Sequence, residues 1–172
     1  MEESSPVTFL DVTLDLAPAR VIDVPVVRPA PSREAIVRVQ EVLAELPQAE
    51  TEVEHFFADG MYGRRCFISA DNIVVGKVHR HEHFVLLIKG SATINTDRGM
   101  ERVSAPHVWV SPPGAKRILY THTDCEFFTT HLNHDNERNL ERIEAEVIEP
   151  EGLLTHQPEV AEFTDELQRM YA

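Results

Sequence analysis

Between residues 50 and 133 the chain is cut into short runs, and this punctuation constrains its fold more than any other feature. The runs RRCFIS, NIVVGKV, HFVLLIK, SATINT, MERVS, HVWVS, KRILYT and EFFTTHLN are rich in β-branched and aromatic residues. Between them stand SADN, KGS, TDRG, SAP, SPPGA and HTDC, which are rich in turn formers. Runs this short bury little as helices, whereas strands of the same length pair and stack. TDRG ends in Gly99 and reads as a hairpin loop closing on a residue of positive φ. Several short strands at this spacing predict an all-β sandwich or barrel.

The flanks have a different character. Residues 7–16, VTFLDVTLDL, alternate with Leu10, Val12, Leu14 and Leu16 on one side. Residues 20–27 repeat the pattern with Ile22, Val24 and Val26, and Pro25 limits that strand to an edge. A helix is expected after Ser32, an N-cap, with Ile36, Val39, Leu43 and Leu46 at helical spacing before Pro47. Beyond residue 134, Leu140, Ile143 and Val147 form one helical stripe. Val160, Phe163, Leu167 and Met170 form another after Pro158. The expected division is an arm over 1–49 (two strands and one amphipathic helix), a barrel over 50–134 and an acidic helical tail over 135–172.

Charge and cysteine use set limits. The net charge is −13, from 29 acidic and 16 basic residues, which argues against a nucleic-acid partner. Residues 135–172 hold 11 acidic and 3 basic side chains, so −8 of the net charge of −13 sits in the tail. No apolar run approaches the roughly 20 residues a membrane span needs. The acidic start MEESSPVTF lacks the features of a secretory signal, so a cytoplasmic protein is expected. Cys66 and Cys125 have no C-x-x-C spacing and read as buried, reduced thiols.

The stretch GKVHRHEHFVLLIKG, residues 76–90, places His79, His81 and His83 on alternate positions. In an unbroken strand alternate side chains share a face. The three imidazoles and Lys77 would then converge, and Glu82 would point away. Imidazole suits Fe, Ni, Cu, Zn and Co, whereas Mg and Ca prefer oxygen. The same pattern also fits histidines on a half-exposed sheet face with nothing bound, and the residues alone leave both readings open. In HFFADGMYGR, residues 55–64, Gly60 and Gly63 mark a turn and Tyr62 reads as a packing residue. Arg64 and Arg65 would point to opposite sides of a strand, and Trp109 reads as core or pocket wall. There is no Ser-His-Asp order and no phosphate loop.

These residues resemble the cupins, a family built on a double-stranded β-helix. The family's first motif runs Gly, H-x-H, three or four residues, Glu, six residues, Gly. Counting back from Gly90 puts His83 at the Glu position, His79 at the second histidine and Lys77 at the first. The second motif, P-x-G-x-x-H, matches Pro112, Pro113 and Gly114, and Arg117 takes the place of its histidine. More closely, the chain is similar to single-domain cupins encoded by tailed phages. The shared features are HFFADGMYGR, HRHEH at 79–83, AP at 105–106, PPGAKR at 112–117, YTHTD at 120–124 and TTHLN at 129–133. Arg65 departs from an acidic residue usual in those relatives, and nothing matches before about residue 30.

The resemblance implies an all-β cupin (jelly-roll) barrel with helical N- and C-terminal extensions. It implies a divalent transition metal (Fe, Ni, Zn, Co or Mn) on His79 and His83, with His131 as third donor. His131 is expected to qualify through antiparallel pairing of EFFTTHLN with KRILYT, with residues 117 and 131 opposed. His122, at a turn near the barrel mouth, is a weaker donor. Lys77, Arg117, Arg64, His81 and His122 are the candidates to contact a small anionic molecule, since Arg and Lys attract carboxylate or phosphate. Ligand histidines must be neutral, so affinity is expected to fall as pH drops through about 6.5. Three functional classes follow. The chain is a metal-dependent enzyme, a metal-free cupin binding an anion or nucleotide sugar, or a virion or assembly scaffold. A homodimer exchanging N-terminal strands is expected. A phage protein would work in the host cytoplasm or in the virion, and no membrane partner is expected.

Overall fold

In the computed structural model, which describes residues 29–49 and 51–150, the punctuated region becomes nine antiparallel strands. In chain order they are β1 (Glu52–Ala58), β2 (Met61–Ile68), β3 (Ile73–Val75), β4 (His83–Lys89), β5 (Ser91–Thr96), β6 (Gly99–Ser104), β7 (His107–Ser111), β8 (Ile118–Thr121) and β9 (Cys125–Leu132). They form a five-stranded sheet, β1-β2-β9-β4-β7, and a four-stranded sheet, β3-β8-β5-β6. From β2 onward the chain passes from one sheet to the other at nearly every step. Only the β5–β6 hairpin stays within one sheet, and it closes on Gly99 at φ 130°. Eight strands ordered this way, with β1 added at one edge, make the double-stranded β-helix.

The inner faces of both sheets supply the core. Ile68, Leu87, Cys125 and Phe127 from one sheet meet Ala92, Ile94 and Val103 from the other, with Trp109 and Val85 packed against them. At roughly 1.5–3 kcal/mol for each large side chain buried, this cluster dominates the stabilisation of the barrel. Both cysteines face inward and are free thiols, Cys125 buried and Cys66 half-buried, and burial pushes both thiols up in pKa. Helix α1 (Arg33–Ala44) begins where Ser32 Oγ accepts a hydrogen bond from the Ala35 amide. It lays Ile36 and Val39 on the outer side of the four-stranded sheet, against Ile118, Ile73 and Val75. A second helix, α2 (Leu140–Val147), turns Ile143 and Val147 onto Tyr62.

The five-stranded sheet keeps an apolar outer face. Phe84, Val108 and Val110 lie exposed on β4 and β7, and Met61 and Leu132 on β2 and β9. Arg65 stands at one end of this face, ion-paired with Glu54 and Glu126. No helix among the described residues is long and apolar enough to cross a membrane. The alternating stretches 7–16 and 20–27 and the stripe after Pro158 lie outside the described residues.

Four local expectations need correction. Residues 52–58 form a strand, β1, that the sequence reading did not mark. Gly60 does sit in a turn, at φ 71°, but Gly63 lies inside β2. There it leaves room for Phe128, whose ring would stand 2.6 Å from any Cβ at that position. The run NIVVGKV is strand only over β3, and residues 76–82 form a loop. Finally, β9 does not pair with β8. It lies between β2 and β4, while β8 pairs with β3 and β5, because the turn at 122–124 crosses between sheets and does not close a hairpin.

Gly90 carries the link between β4 and β5 at φ 90°, a conformation that L side chains avoid. A Cβ there would collide with the Asp124 carbonyl oxygen and stand 2.8 Å from Cys125 Sγ. Gly90→Ala is therefore expected to cost at least about 2 kcal/mol, read from the urea midpoint. An unchanged midpoint contradicts this packing.

Candidate metal centre

Two of the three converging histidines stand on neighbouring strands. In β2–β9 pairing Tyr62 opposes His131. The β4–β9 register, Phe84 with Thr130 and Val85 with Thr129, brings His83 opposite His131 when carried one residue further. His83 in turn opposes Ser111 on β7. Tyr62, His131, His83 and Ser111 thus form one row across the sheet. All four are buried, and the row shares the parity of the core residues Phe127 and Leu87. His131 is inward-facing as the sequence reading required, but the partners that place it are Tyr62 and His83 rather than Arg117.

His79 arrives differently, on the 76–82 loop. That loop is fixed by Gly76 N–H to the Arg117 carbonyl at 2.9 Å and by Gly114 N–H to the His79 carbonyl at 2.9 Å. Val78, fully buried, anchors it from within. The result is three imidazoles with one ring nitrogen each inside a 4.8 Å span. Ring centroids are separated by 4.1 Å for His79–His83, 4.7 Å for His83–His131 and 5.0 Å for His79–His131.

The donor chemistry fits a transition metal. His79 Nδ1 lies 2.7 Å from His83 Nε2 and 3.2 Å from His83 Nδ1. Metal–nitrogen bonds of about 2.0–2.1 Å place two ligand nitrogens roughly 2.9–3.4 Å apart, so a small ring rotation suffices. On His83 and His131 a ring nitrogen also has a partner of the kind that orients metal-bound imidazole. His83 Nδ1 lies 3.2 Å from the His81 carbonyl oxygen, and His131 Nε2 lies 3.2 Å from Thr129 Oγ1.

Electrostatics keep the donors neutral. Burial, with the neighbouring His83 and Arg64, pulls His79 down to about 4. Burial, then His83, His79 and Arg64, pulls His131 down to about 3. Burial lowers His83 too, against the opposing His81 carbonyl and with help from Arg117. Proton competition for a bound metal therefore moves below the window near 6.5 expected for unperturbed histidine.

Two arginines act on the triad by charge, Arg117 on His83 and Arg64 on His79 and His131. Arg117 is half-buried and donates from Nη1 to the Asn95 carbonyl at 2.7 Å. Among the described residues its buried Nε has no hydrogen-bond partner. It lines a cleft of about 640 Å³ together with Trp109, His107, Thr96 and Glu101. Arg64 shares the face of Tyr62 on β2 and lies exposed at the rim, close enough for its charge to act on His79 and His131.

The other candidates lie elsewhere. Lys77 points outward and pairs with Glu144 of α2. His81 is exposed, 3.8 Å from Glu146. Both follow from the break after Val75, which removes the strand alternation that would have aligned them with His79. His122 sits on the outer side of the four-stranded sheet, 2.7 Å from Thr93 Oγ1 and edge-on to Tyr120. Tyr62 packs as the sequence reading expected, against Ile143 and Val147, and it also adjoins the triad. Its hydroxyl lies 2.7 Å from His55 Nδ1, and its ring stacks on His131 with centroids 6.0 Å apart. The clue was its membership of HFFADGMYGR, the run that carried the resemblance.

No family model matches the chain, and no curated protein matches it. Solved structures similar to it include cupin proteins. An RmlC-like cupin from Shewanella frigidimarina is 15% identical, covers 56% of this chain and 86% of its own, and has a TM-score of 0.45. A cupin superfamily protein from Desulfitobacterium hafniense is 13% identical, covers 53% and 84%, and has a TM-score of 0.42. An RmlC-like cupin with a double-stranded β-helix fold from Methanocaldococcus jannaschii is 15% identical, covers 52% and 86%, and has a TM-score of 0.41. The fold assignment rests on the strand order given above.

The depressed histidines predict how metal-free protein responds to acid. Between the unfolded value near 6.5 and the folded values of about 4 and about 3, the unfolded chain binds more protons. Stability is therefore full above about 6.5 and declines as pH falls through that window. Thermal melts at pH 7.5, 6 and 5 check this. The decline should be shallower in His131→Asn, and equal slopes in the two proteins contradict it.

Proposed function

We propose that the protein binds one divalent transition metal through His79, His83 and His131 and holds a small anionic molecule beside it. The observation that carries this reading is the meeting of three imidazoles, two buried and one half-buried, within 4.8 Å, each with its pKa pulled down by burial. Three nitrogen donors leave coordination positions open, and a metal so held polarises a bound oxygen or activates water. Arg117 supplies guanidinium donors from the opposite sheet, and Arg64 adds positive charge at the rim. Together they favour a carboxylate or phosphate close to the metal. The reaction class stays at metal-assisted chemistry on an anion.

Elemental analysis of untagged protein incubated with Fe, Ni, Zn, Co or Mn tests the reading. One equivalent is expected in the parent and in His81→Ala, with at least a tenfold loss of affinity in His79→Ala, His83→Ala and His131→Ala. Affinity should fall less between pH 7.5 and 5 than it would for unperturbed histidines, because burial lowers the pKa of all three donors. A parent that takes up no metal, or an equal loss from His81→Ala, overturns the assignment.

A second reading, a self-associating scaffold of the virion or assembly type, is favoured by the apolar outer face of the five-stranded sheet. Phe84 and Val110 are neighbours on it, 55% and 49% exposed. Two copies joined through that face would bury both. Sedimentation is expected to show a dimer that the double variant Phe84→Glu, Val110→Glu converts to monomer. A monomeric parent contradicts this reading and leaves the metal site untouched.

A further inference from the structure

We propose that the end of α2 and the residues after it, Glu144 to Glu149, form part of the metal centre: they hold His79 in place, so metal binding and docking of this segment reinforce each other. The inference rests on the metal reading above and concerns how that site is regulated.

The need for such a part follows from how the three donors are carried. His83 and His131 stand on paired strands in the middle of a sheet, whereas His79 stands on a loop. What stands in for a strand partner is the segment after α2. Arg80 N–H donates to the Val147 carbonyl at 2.8 Å, and Glu149 N–H donates to the Val78 carbonyl at 2.9 Å. These two bonds bracket His79 and make an isolated antiparallel bridge between His79 and Ile148. Arg80 Nε adds a third bond, to the Ile148 carbonyl at 2.9 Å.

Side chains repeat the connection. On the loop, Lys77 and His81 stand two residues either side of His79. They face Glu144 and Glu146 of α2, as partners in the first case and at 3.8 Å in the second. These exposed pairs contribute little energy alone. The same helix also backs a second donor, since Ile143 and Val147 bury against Tyr62 and Tyr62 stacks on His131. Undocking the helix would therefore free His79 from its backbone partners and remove the support behind His131.

Linkage makes this reciprocal. Whatever factor docking adds to metal affinity, metal adds to docking. The acidic C-terminal region continues from this segment, so a ligand of that region that binds the docked and undocked states differently would act on the metal through the same equilibrium.

Hydrogen–deuterium exchange of the full chain, with and without Zn²⁺ or Co²⁺, tests the proposal. Metal is expected to slow exchange at least tenfold in peptides covering 76–82 and 140–150, with the β5–β6 hairpin unchanged. In a second arm, Val147→Ala with Ile143→Ala is expected to weaken Co²⁺ affinity at least tenfold, and Val147→Ile to preserve it. Should the double variant fail to fold, the exchange comparison on the parent decides alone. A parent that binds metal with exchange over 140–150 unchanged overturns this inference and leaves the metal reading standing. A parent that binds no metal overturns both.

Discussion

The centre depends on one register, that of β9 between β2 and β4. Tyr62, His131 and His83 form a row only because Met61 pairs with Leu132 on one side and Phe84 with Thr130 on the other. A slip of one residue would turn His131 to the outer face and bring Leu132, now outside, into the site. The core resists that slip, since Cys125 and Phe127 on the same strand would leave the interior with it. Hydrophobic packing at one end of β9 thus fixes the position of a donor at the other. The chemistry is placed by residues that take no part in it.

Charge then acts on what register has placed. The chain is acidic overall, yet the charges that act on the triad are cationic: Arg117 acts on His83 and Arg64 on His79 and His131, while the carboxylates Glu144 and Glu146 are directed to Lys77 and His81. Protonating any one imidazole would put a charge where burial denies it solvent and the arginines repel it. The same field that disfavours a proton favours an anion. A divalent cation held by the three rings would overcome it through coordination bonds that a proton does not form with three rings at once. Neutral donors next to guanidinium groups are therefore consistent as a site for a metal and an anion together.

How far the chain could be read depended on whether the signal was local. The two glycines Gly90 and Gly99 and the run TTHLN mark positions that the backbone requires, and the count from Gly90 reached His79 and His83 directly. The pairing of His131 was misread because a three-residue turn can close a hairpin or cross between sheets, and the HTDC residues suit either. Lys77 and His81 were aligned with His79 on the assumption that the strand continued past Val75. The Gly76 N–H to Arg117 carbonyl bond is the last of the β3–β8 ladder, and beyond it the chain leaves the sheet. β1 went unmarked because EVEHFFA lies at a sheet edge with most of its residues exposed, so its alternation is weak. The docking of α2 on the 76–82 loop joins residues about seventy positions apart and had no local trace.

The most direct test of the central claim follows each histidine separately. Zinc is titrated into full-length protein carrying ¹⁵N in its nine histidines, and the imidazole nitrogens are read by long-range ¹H–¹⁵N NMR. The account predicts that His79, His83 and His131 shift together to the metal-bound range and saturate at one equivalent, while the other six keep their positions. A first equivalent that moves His81 or His122 instead, or that leaves His131 unchanged while shifting the others, would contradict it.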